Sequence, residues 1–363
     1  MEAALYGEGG FFASGRGAGR AGRDFVTSPE TGSLFGACTA RAIDRLWREL
    51  GEPDPLLVVD AGAGNGRLAR DVLRAEPACL AALRYVLVER SAALRAEQRE
   101  WLALEPADEA LGPFVARVSE EHPRPAEGAG PVLTSVDDLP ALAAGDVVVL
   151  ANELLDNLPF GIAQREHDGW REVRVGVAGQ DRFEEVLVPV ELDVPFTVPS
   201  GARVPLPRGI REWGRACDAM VQRGFVVAID YAVAADEFAE RPWLRTYRAH
   251  APGSDPLDDP GAQDITADVV LEQLRAAMPM PCVSDERQAD WLRALGLDAL
   301  VDEGRRAWAE GAHRGDLDAL AGRSRVGEAE ALTDPAGLGA HRVLLFAKEA
   351  AAGGFDWRVP TRR

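Results

Sequence analysis

Lysine is almost missing from this chain. One residue, Lys348, stands against 39 arginines, and the imbalance excludes whole classes of chemistry. A phosphate-cradling P-loop needs the lysine of its G-K-[ST] ending, and no such lysine exists. A pyridoxal enzyme needs a lysine for its Schiff base. Lys348 follows the apolar run Val343–Phe346 near the chain end, a poor place for one. Five scattered histidines form no H-E-x-x-H, and no G-x-S-x-G marks a hydrolase nucleophile. The four cysteines, Cys38, Cys79, Cys217 and Cys282, lack zinc-ligand spacing. They are expected to be buried, small apolar side chains in a reducing compartment, with neither a metal site nor a disulfide framework. No apolar stretch approaches the roughly 18 residues of a membrane span. The first residues carry no basic segment followed by an apolar one, so a cytoplasmic location is expected. Net basic charge is missing too: the balance is −19, and the only local basic cluster is Arg16, Arg20 and Arg23. Nucleic-acid binding is therefore not expected, whereas a cationic protein segment would be attracted.

What is present is an alternation of strands and helices. The expected strands are 56–61, 84–89, a weaker 131–136, 146–151 and 225–231, with helices near 67–75, 91–103 and 208–223. This alternation implies right-handed βαβ units and a doubly wound α/β sheet. Thr27-Ser28-Pro29-Glu30 opens a helix expected to run to about Leu50, through a capping box or a proline at its first position. Residues 164–177 and 183–190 alternate apolar and polar, with Asp168-Gly169 as a hairpin signal. Residues 233–265 read as loop, helices are expected near 266–277 and 286–312, and 341–348 as a last, antiparallel strand. The implied organisation is an N-terminal extension and helix (1–50), a first core segment (51–160), a β-rich insertion (161–207), a second core segment (208–232), a loop and helical insertion (233–335), and a final strand and tail (336–363).

The most specific segment is Leu56-Leu57-Val58-Val59-Asp60-Ala61-Gly62-Ala63-Gly64-Asn65-Gly66-Arg67. A strand buried on both faces ends in an acid. Glycines at alternate positions then let the backbone approach a ligand at a helix N-terminus. A dinucleotide fingerprint wants its third glycine three residues after the second. Here it comes one residue early, so Asp60, Gly62, Gly64 and Gly66 resemble the first motif of class I methyltransferases that use S-adenosylmethionine. Glu89, at the end of the second strand, fits a carboxylate that accepts hydrogen bonds from ribose hydroxyls; the alternative is a solvated acid capping the helix after Ser91. Asp137 or Asp138, after the third strand, is the candidate acid for the adenine side.

After the fourth strand come Asn152, Glu153 and Asp156. In an open α/β sheet such positions face the ligand crevice, and polar groups straight after a buried strand are costly unless paired or used. The trio is expected to face the transferable methyl group; a capped helix start is the alternative. A carboxylate pair matches the donor fork of a guanidinium, and would equally orient an amine or hydroxyl of a small molecule.

Several motifs recur together: Gly22-Arg23-Asp24-Phe25-Val26-Thr27-Ser28-Pro29-Glu30, the glycine turn, Val88-Glu89-Arg90-Ser91, Ala151-Asn152-Glu153-Leu154-Leu155-Asp156-Asn157-Leu158-Pro159, Ile229-Asp230-Tyr231, Gly261–Ala267 and Gln288–Gly296. Over nearly the whole chain this resembles the MidA family of S-adenosylmethionine-dependent methyltransferases, whose mitochondrial members are complex I assembly factors that methylate a protein arginine. The resemblance implies a class I methyltransferase (Rossmann-like) fold with S-adenosyl-L-methionine as cofactor. It also implies a protein substrate and a place for Thr27 and Ser28 in the cofactor or substrate pocket, although a helix cap explains them equally. The glycine turn departs from the E-x-G-P-G-x-G-T of mitochondrial relatives, and with no targeting segment the chain is expected to be bacterial. Other readings are a small-molecule methyltransferase, a cofactor-binding assembly protein without catalysis, and a nicotinamide-dependent oxidoreductase.

Overall fold

The structure, a computed structural model, describes residues 1–12, 27–115, 127–142, 145–179, 182–238, 242–248, 251–253, 255–314, 317–351 and 353–358. Arg16, Arg20, Arg23, Asp24, Phe25 and Val26 lie outside the described residues.

Four parallel strands form the first half of the central sheet: β1 (Leu56–Ala61), β2 (Leu83–Val88), β3 (Val132–Val136) and β4 (Asp146–Asn152). All six residues of β1 are buried, because helices cover both faces of the sheet. Leu56 and Val58 pack into one apolar cluster with Phe35, Ile43 and Leu46 of helix Leu34–Glu49. Leu57, Val59 and Ala61 point the other way, towards Ile210, Trp213 and Cys217 of helix Arg208–Met220. A strand between two helical layers can be apolar at every position, which is why this run stood out in the sequence.

The chain then leaves the sheet. β5 (Gly161–Glu166), β6 (Gly169–Ala178), β7 (Arg182–Val190) and β8 (Arg203–Leu206) form a separate antiparallel sheet in the order β7-β6-β5-β8. Its first hairpin turns at His167-Asp168, since Glu166 pairs with Gly169; the expected Asp168-Gly169 turn is one residue out of register. β9 (Arg223–Asp230) returns to the central sheet beside β4 and parallel to it.

Residues 233–265, expected to be mostly loop, also carry short strands and a short helix among the described residues. After β10 (Ala232–Val233), the strands β11 (Leu244–Arg248), β12 (Ala251–Pro252) and β13 (Asp264–Ala267) make a small antiparallel sheet. β14 (Val269–Val270) pairs with β10. The helix expected from 266 begins only at Leu271 and ends at Ala277. The expected helix at 286–312 is also divided. β15 (Cys282–Arg287) is an edge strand, followed by helices Gln288–Ala294 and Leu297–Gly311, with Gly296 at φ +85° between them. β16 (Arg342–Lys348) is the expected antiparallel last strand, lying between β9 and β15. The seven-stranded order is β15-β16-β9-β4-β1-β2-β3.

The helix expected from Ser28 to Leu50 breaks at Gly32-Ser33 into Ser28–Thr31 and Leu34–Glu49. Neither Thr27 nor Ser33 caps through its side chain. Instead Glu328, from helix Leu317–Thr333, accepts a hydrogen bond from the Leu34 N–H at 3.1 Å. A Cβ on Gly32 would collide with that carboxylate. A buried acid at a helix N-terminus offsets the partial positive charge there. Cys38, Cys79 and Cys217 are buried as expected, and Cys282 is half-buried.

Candidate active site

β2 follows β1 on one side and β4 lies on its other side, so the strand order reverses at β1. That switch point is where an open sheet forms a ligand crevice. Here a cleft of about 1200 Å³ opens beyond the ends of β1, β2 and β4.

One wall is the glycine turn. Gly62, Gly64 and Gly66 have φ of +76°, +54° and +81°, a region that strains residues bearing a Cβ. The Gly62 and Ala63 N–H groups both donate to the Val88 carbonyl, at 2.9 and 3.0 Å. The glycines have different roles. A Cβ at Gly64 would project into open space, with nothing within 4 Å. One at Gly66 would meet Leu102 at 2.9 Å and Gln98 at 3.2 Å. Gly64 borders the cleft, whereas Gly66 does not line it. Gly66 instead permits close packing of the turn on the chain behind it, which corrects its expected place in the pocket.

Asp60, Glu89, Asp137 and Asp138 all line the cleft. Asp60 accepts from the Tyr85 hydroxyl at 3.0 Å, and burial pushes its pKa up to about 7. Glu89 accepts from the Gly64 N–H at 3.0 Å and from the Ser91 N–H at 2.7 Å. Burial raises its pKa, and these two backbone donors oppose the rise. Glu89 therefore braces the start of the next helix and borders the cleft at once. Each carboxylate oxygen has two lone-pair directions, so both retain acceptor capacity. Asp138 receives the Leu139 N–H at 2.8 Å.

The opposite wall is the segment after β4. Glu153 has φ +51°, uncommon for a residue with a long side chain. Its N–H donates to the Ile229 carbonyl at 2.8 Å. Its Oε1 accepts from the Ser28 N–H at 2.9 Å and from Asn152 Nδ2 at 3.3 Å. Burial pushes the Glu153 carboxyl up to about 8, and repulsion from Asp156 adds to the rise. Asn152 Oδ1 is buried and has no hydrogen-bond donor among the described residues.

Asp156 is not in this wall. It lies behind it, accepting from Thr266 Oγ1 at 2.6 Å, and is absent from the cleft lining. The chain turns through a short 3-10 helix, Leu155–Asn157, held by Asp230, which accepts the Leu155 and Tyr231 N–H groups at 2.7 and 2.8 Å. That turn points Asp156 towards β13 and away from the cleft. Burial raises the pKa of both Asp156 and Asp230, and their mutual repulsion raises Asp230 further. Ser28 is also outside the lining. Its backbone braces Glu153, and its hydroxyl donates to Gln288 Oε1 at 3.1 Å. Thr27 does line the cleft.

Sequence reasoning missed the rim. Glu2, Tyr6 and Phe12 line the cleft. The Tyr6 hydroxyl donates to the Asn157 carbonyl at 3.1 Å, and the Arg90 guanidinium lies 4.5 Å from its ring centroid and 2.8 Å from Glu2. The signal was the run of aromatic residues among the first glycines. Arg208, Glu212 and Trp213 complete the far side; their helix carried no motif.

A model of the family described as "Putative S-adenosyl-L-methionine-dependent methyltransferase" matches residues 38–282, more than half of the chain. The chain belongs to this family. It is the MidA family that the sequence motifs resemble, and its members use S-adenosylmethionine. Among curated relatives, the protein arginine methyltransferase NDUFAF7 homolog, mitochondrial, of Drosophila melanogaster is 29% identical over 282 residues, covering 71% of this chain and 60% of that one. The protein arginine methyltransferase NDUFAF7, mitochondrial, of Danio rerio is 27% identical over 296 residues, covering 77% and 68%. The match thus spans about three fifths of the Drosophila protein's length. A crystal structure of a superfamily member from Burkholderia thailandensis bound to S-adenosyl-homocysteine superposes with a TM-score of 0.75 and 25% identity, covering 98% of this chain and 88% of that one. The fold is that of a class I methyltransferase and the cofactor is S-adenosylmethionine. No helix among the described residues is long and apolar enough to cross a membrane.

Proposed function

We propose that this methyltransferase acts on a protein side chain, arginine first, and that Asn152 and Glu153 face the acceptor. One observation carries the reading: a half-buried carboxyl, Glu153, is held on a left-handed backbone at the end of β4 and lines the same cleft as Gly64. Strained backbone of this kind is kept where the surroundings require it, and such places cluster at active sites. The named activity of the Drosophila and Danio relatives supports the arginine acceptor.

The residues present fit the cofactor. Open space at Gly64 leaves room for a ligand against the backbone. Asn152 Oδ1 is a buried acceptor in need of a donor, and an amino group supplies one. Glu89 accepts ribose hydroxyls, and Asp137 or Asp138 serves the adenine side. Asp60 and Thr27 complete the pocket. When bound, the cofactor supplies a methyl group on a positively charged sulfur.

The chain does the rest by position and field. Ser28 and Asn152 fix Oε1 of Glu153, so the carboxyl meets an incoming acceptor in one orientation, which removes an entropic part of the barrier. A guanidinium brings a cation to a carboxyl whose pKa desolvation raises. The cation lowers that pKa, and the carboxylate then pairs with the donor fork and holds the attacking nitrogen. Gly62–Gly64 and Leu154 line the same cleft.

The test is to incubate the purified protein with methyl-labelled S-adenosylmethionine, arginine-containing peptides and host protein, then hydrolyse the products and separate the amino acids. Labelled methylarginine supports the reading. Label only in small solutes overturns it in favour of a small-molecule methyltransferase, and no label with retained cofactor binding overturns it in favour of a silent assembly protein.

A further inference from the structure

The hairpin of β6 and β7 outruns its support. β5 pairs with β6 only from Gly169 to Val173, while β6 and β7 continue to pair as far as Ala178 and Arg182. The outer part is therefore a two-stranded arm, and such ribbons are marginal in water when left alone. Of the eight large apolar side chains exposed among the described residues, five lie on this hairpin. The pairing Val173–Leu187, Val175–Glu185 and Val177–Phe183 puts four of them, Val175, Val177, Phe183 and Leu187, on one face. Glu185, opposite Val175 and ion-paired with Arg203, stands among them on the same face, and large apolar side chains gathered on one exposed face mark an interaction surface more often than scattered single residues do.

Charge beside the patch defines the occupant. A groove of about 720 Å³ runs along the arm, bordered by Glu184, Glu185, Asp255, Asp258 and Asp259 against Arg182. Arg203 pairs with Glu185 and Arg248 with Asp259, and the groove remains negative after both. A second copy of this chain, at −19, would bring acid to acid.

We propose that this arm and groove form a docking surface for a protein segment that presents apolar side chains flanked by lysine or arginine. The apolar side chains cover the Val175–Phe183 face, and the flanking cations lie in the groove. The surface stands on its own observations and does not depend on the identity of the methyl acceptor.

The probe is a labelled peptide alternating lysine and valine, compared by fluorescence anisotropy with its glutamate–valine counterpart, on the full chain. The basic peptide is expected to bind at least about tenfold more tightly. A Val175→Ser/Val177→Ser/Phe183→Ser variant, which changes no charge, is expected to weaken it about tenfold, a difference of about 1.4 kcal/mol. Glu184→Gln/Asp258→Asn is expected to weaken it several-fold. Both variants should keep the wild-type Tm and cofactor affinity, because all five side chains are exposed. Basic-peptide affinity indifferent to the serine changes would reduce the effect to bulk charge and overturn the proposal. So would equal binding of both peptides. Self-association by sedimentation that the serine changes abolish would also overturn it, assigning the face to a second copy.

Discussion

The backbone N–H of Ser28 donates to Oε1 of Glu153 at 2.9 Å, although the two residues are 125 positions apart. The bond ties the segment preceding the first long helix to the end of β4. The brace comes mainly from the Ser28 backbone; the hydroxyl donates to Gln288 Oε1 and makes a lesser contribution at Glu153. Ser28→Ala should therefore cost about 1 kcal/mol of stability through the lost buried hydroxyl bond and leave kcat within about twofold. Glu153→Gln should lower kcat by about 100-fold, in the range for a positioned proton-accepting or ion-pairing group, with cofactor affinity changed far less. Steady-state kinetics and calorimetry on both variants check the contrast. Equal kcat for Glu153→Gln and wild type would remove Glu153 from the chemistry.

The two glycines predict a second contrast. Gly64→Val would fill open space in the cleft and strain a left-handed position. Cofactor affinity should fall by at least about 100-fold, with a Tm drop set by strain alone, about 1–2 kcal/mol. Gly66→Val adds the same strain and drives a side chain into Leu102 and Gln98, so its main effect should be on folding, with a larger loss of Tm. Thermal melts with and without S-adenosyl-homocysteine distinguish the two.

Glu89→Ala removes a carboxylate that the Gly64 and Ser91 N–H groups share. Loss of a charge-assisted hydrogen bond to the ligand is worth about 1.5–3 kcal/mol. Calorimetry should show the Kd raised by one to two orders of magnitude. An unchanged Kd would leave Glu89 only its role at the start of the helix.

Burial raises the pKa of Asp60 to about 7 and of Glu153 to about 8, and raises Asp156 and Asp230 as well. A raised folded-state pKa means that the folded form binds more protons than the unfolded chain across the window between the two values. Stability from these groups is present below the ordinary carboxylate range, and it falls as pH rises towards 7–8. Without cofactor, Tm should decline from pH 5 to pH 8.5, and Asp156→Asn should flatten that decline while methyl transfer persists, since Asp156 lies behind the cleft. Tm that rises across this window would contradict the assigned shifts.

The legible parts of the fold were those in which local pattern and burial agree. β1 is apolar at every position because both its faces are covered, and its boundaries were readable to the residue. The antiparallel insertion at 161–207 was legible from its alternation and hairpin signal, but the later insertion was not. Residues 264–267 and 282–287 are short polar or mixed strands whose partners, β11 and β16, lie far from them in sequence, so nothing local announces them. Helix Leu317–Thr333 is rich in alanine, buries few large residues and carries no apolar stripe. In the site, Glu89, Gly64 and Glu153 followed from their places at strand ends. Asp156 did not, because a 3-10 turn of three residues decides which way it points, and a distant carboxylate, Asp230, fixes that turn. Gly66 shows a similar limit: spacing gives the positive φ but not whether cleft or packed chain lies beyond the missing Cβ.

The most direct measurement is a crystal structure of the protein with S-adenosyl-homocysteine. The expected result is ligand density along Gly62–Gly64, ribose hydroxyls on Glu89, and the sulfur facing the Asn152–Glu153 segment. Density elsewhere on the molecule, or a Glu153 carboxyl turned away from the sulfur with the Ser28 bond broken, would contradict the assignment of this cleft.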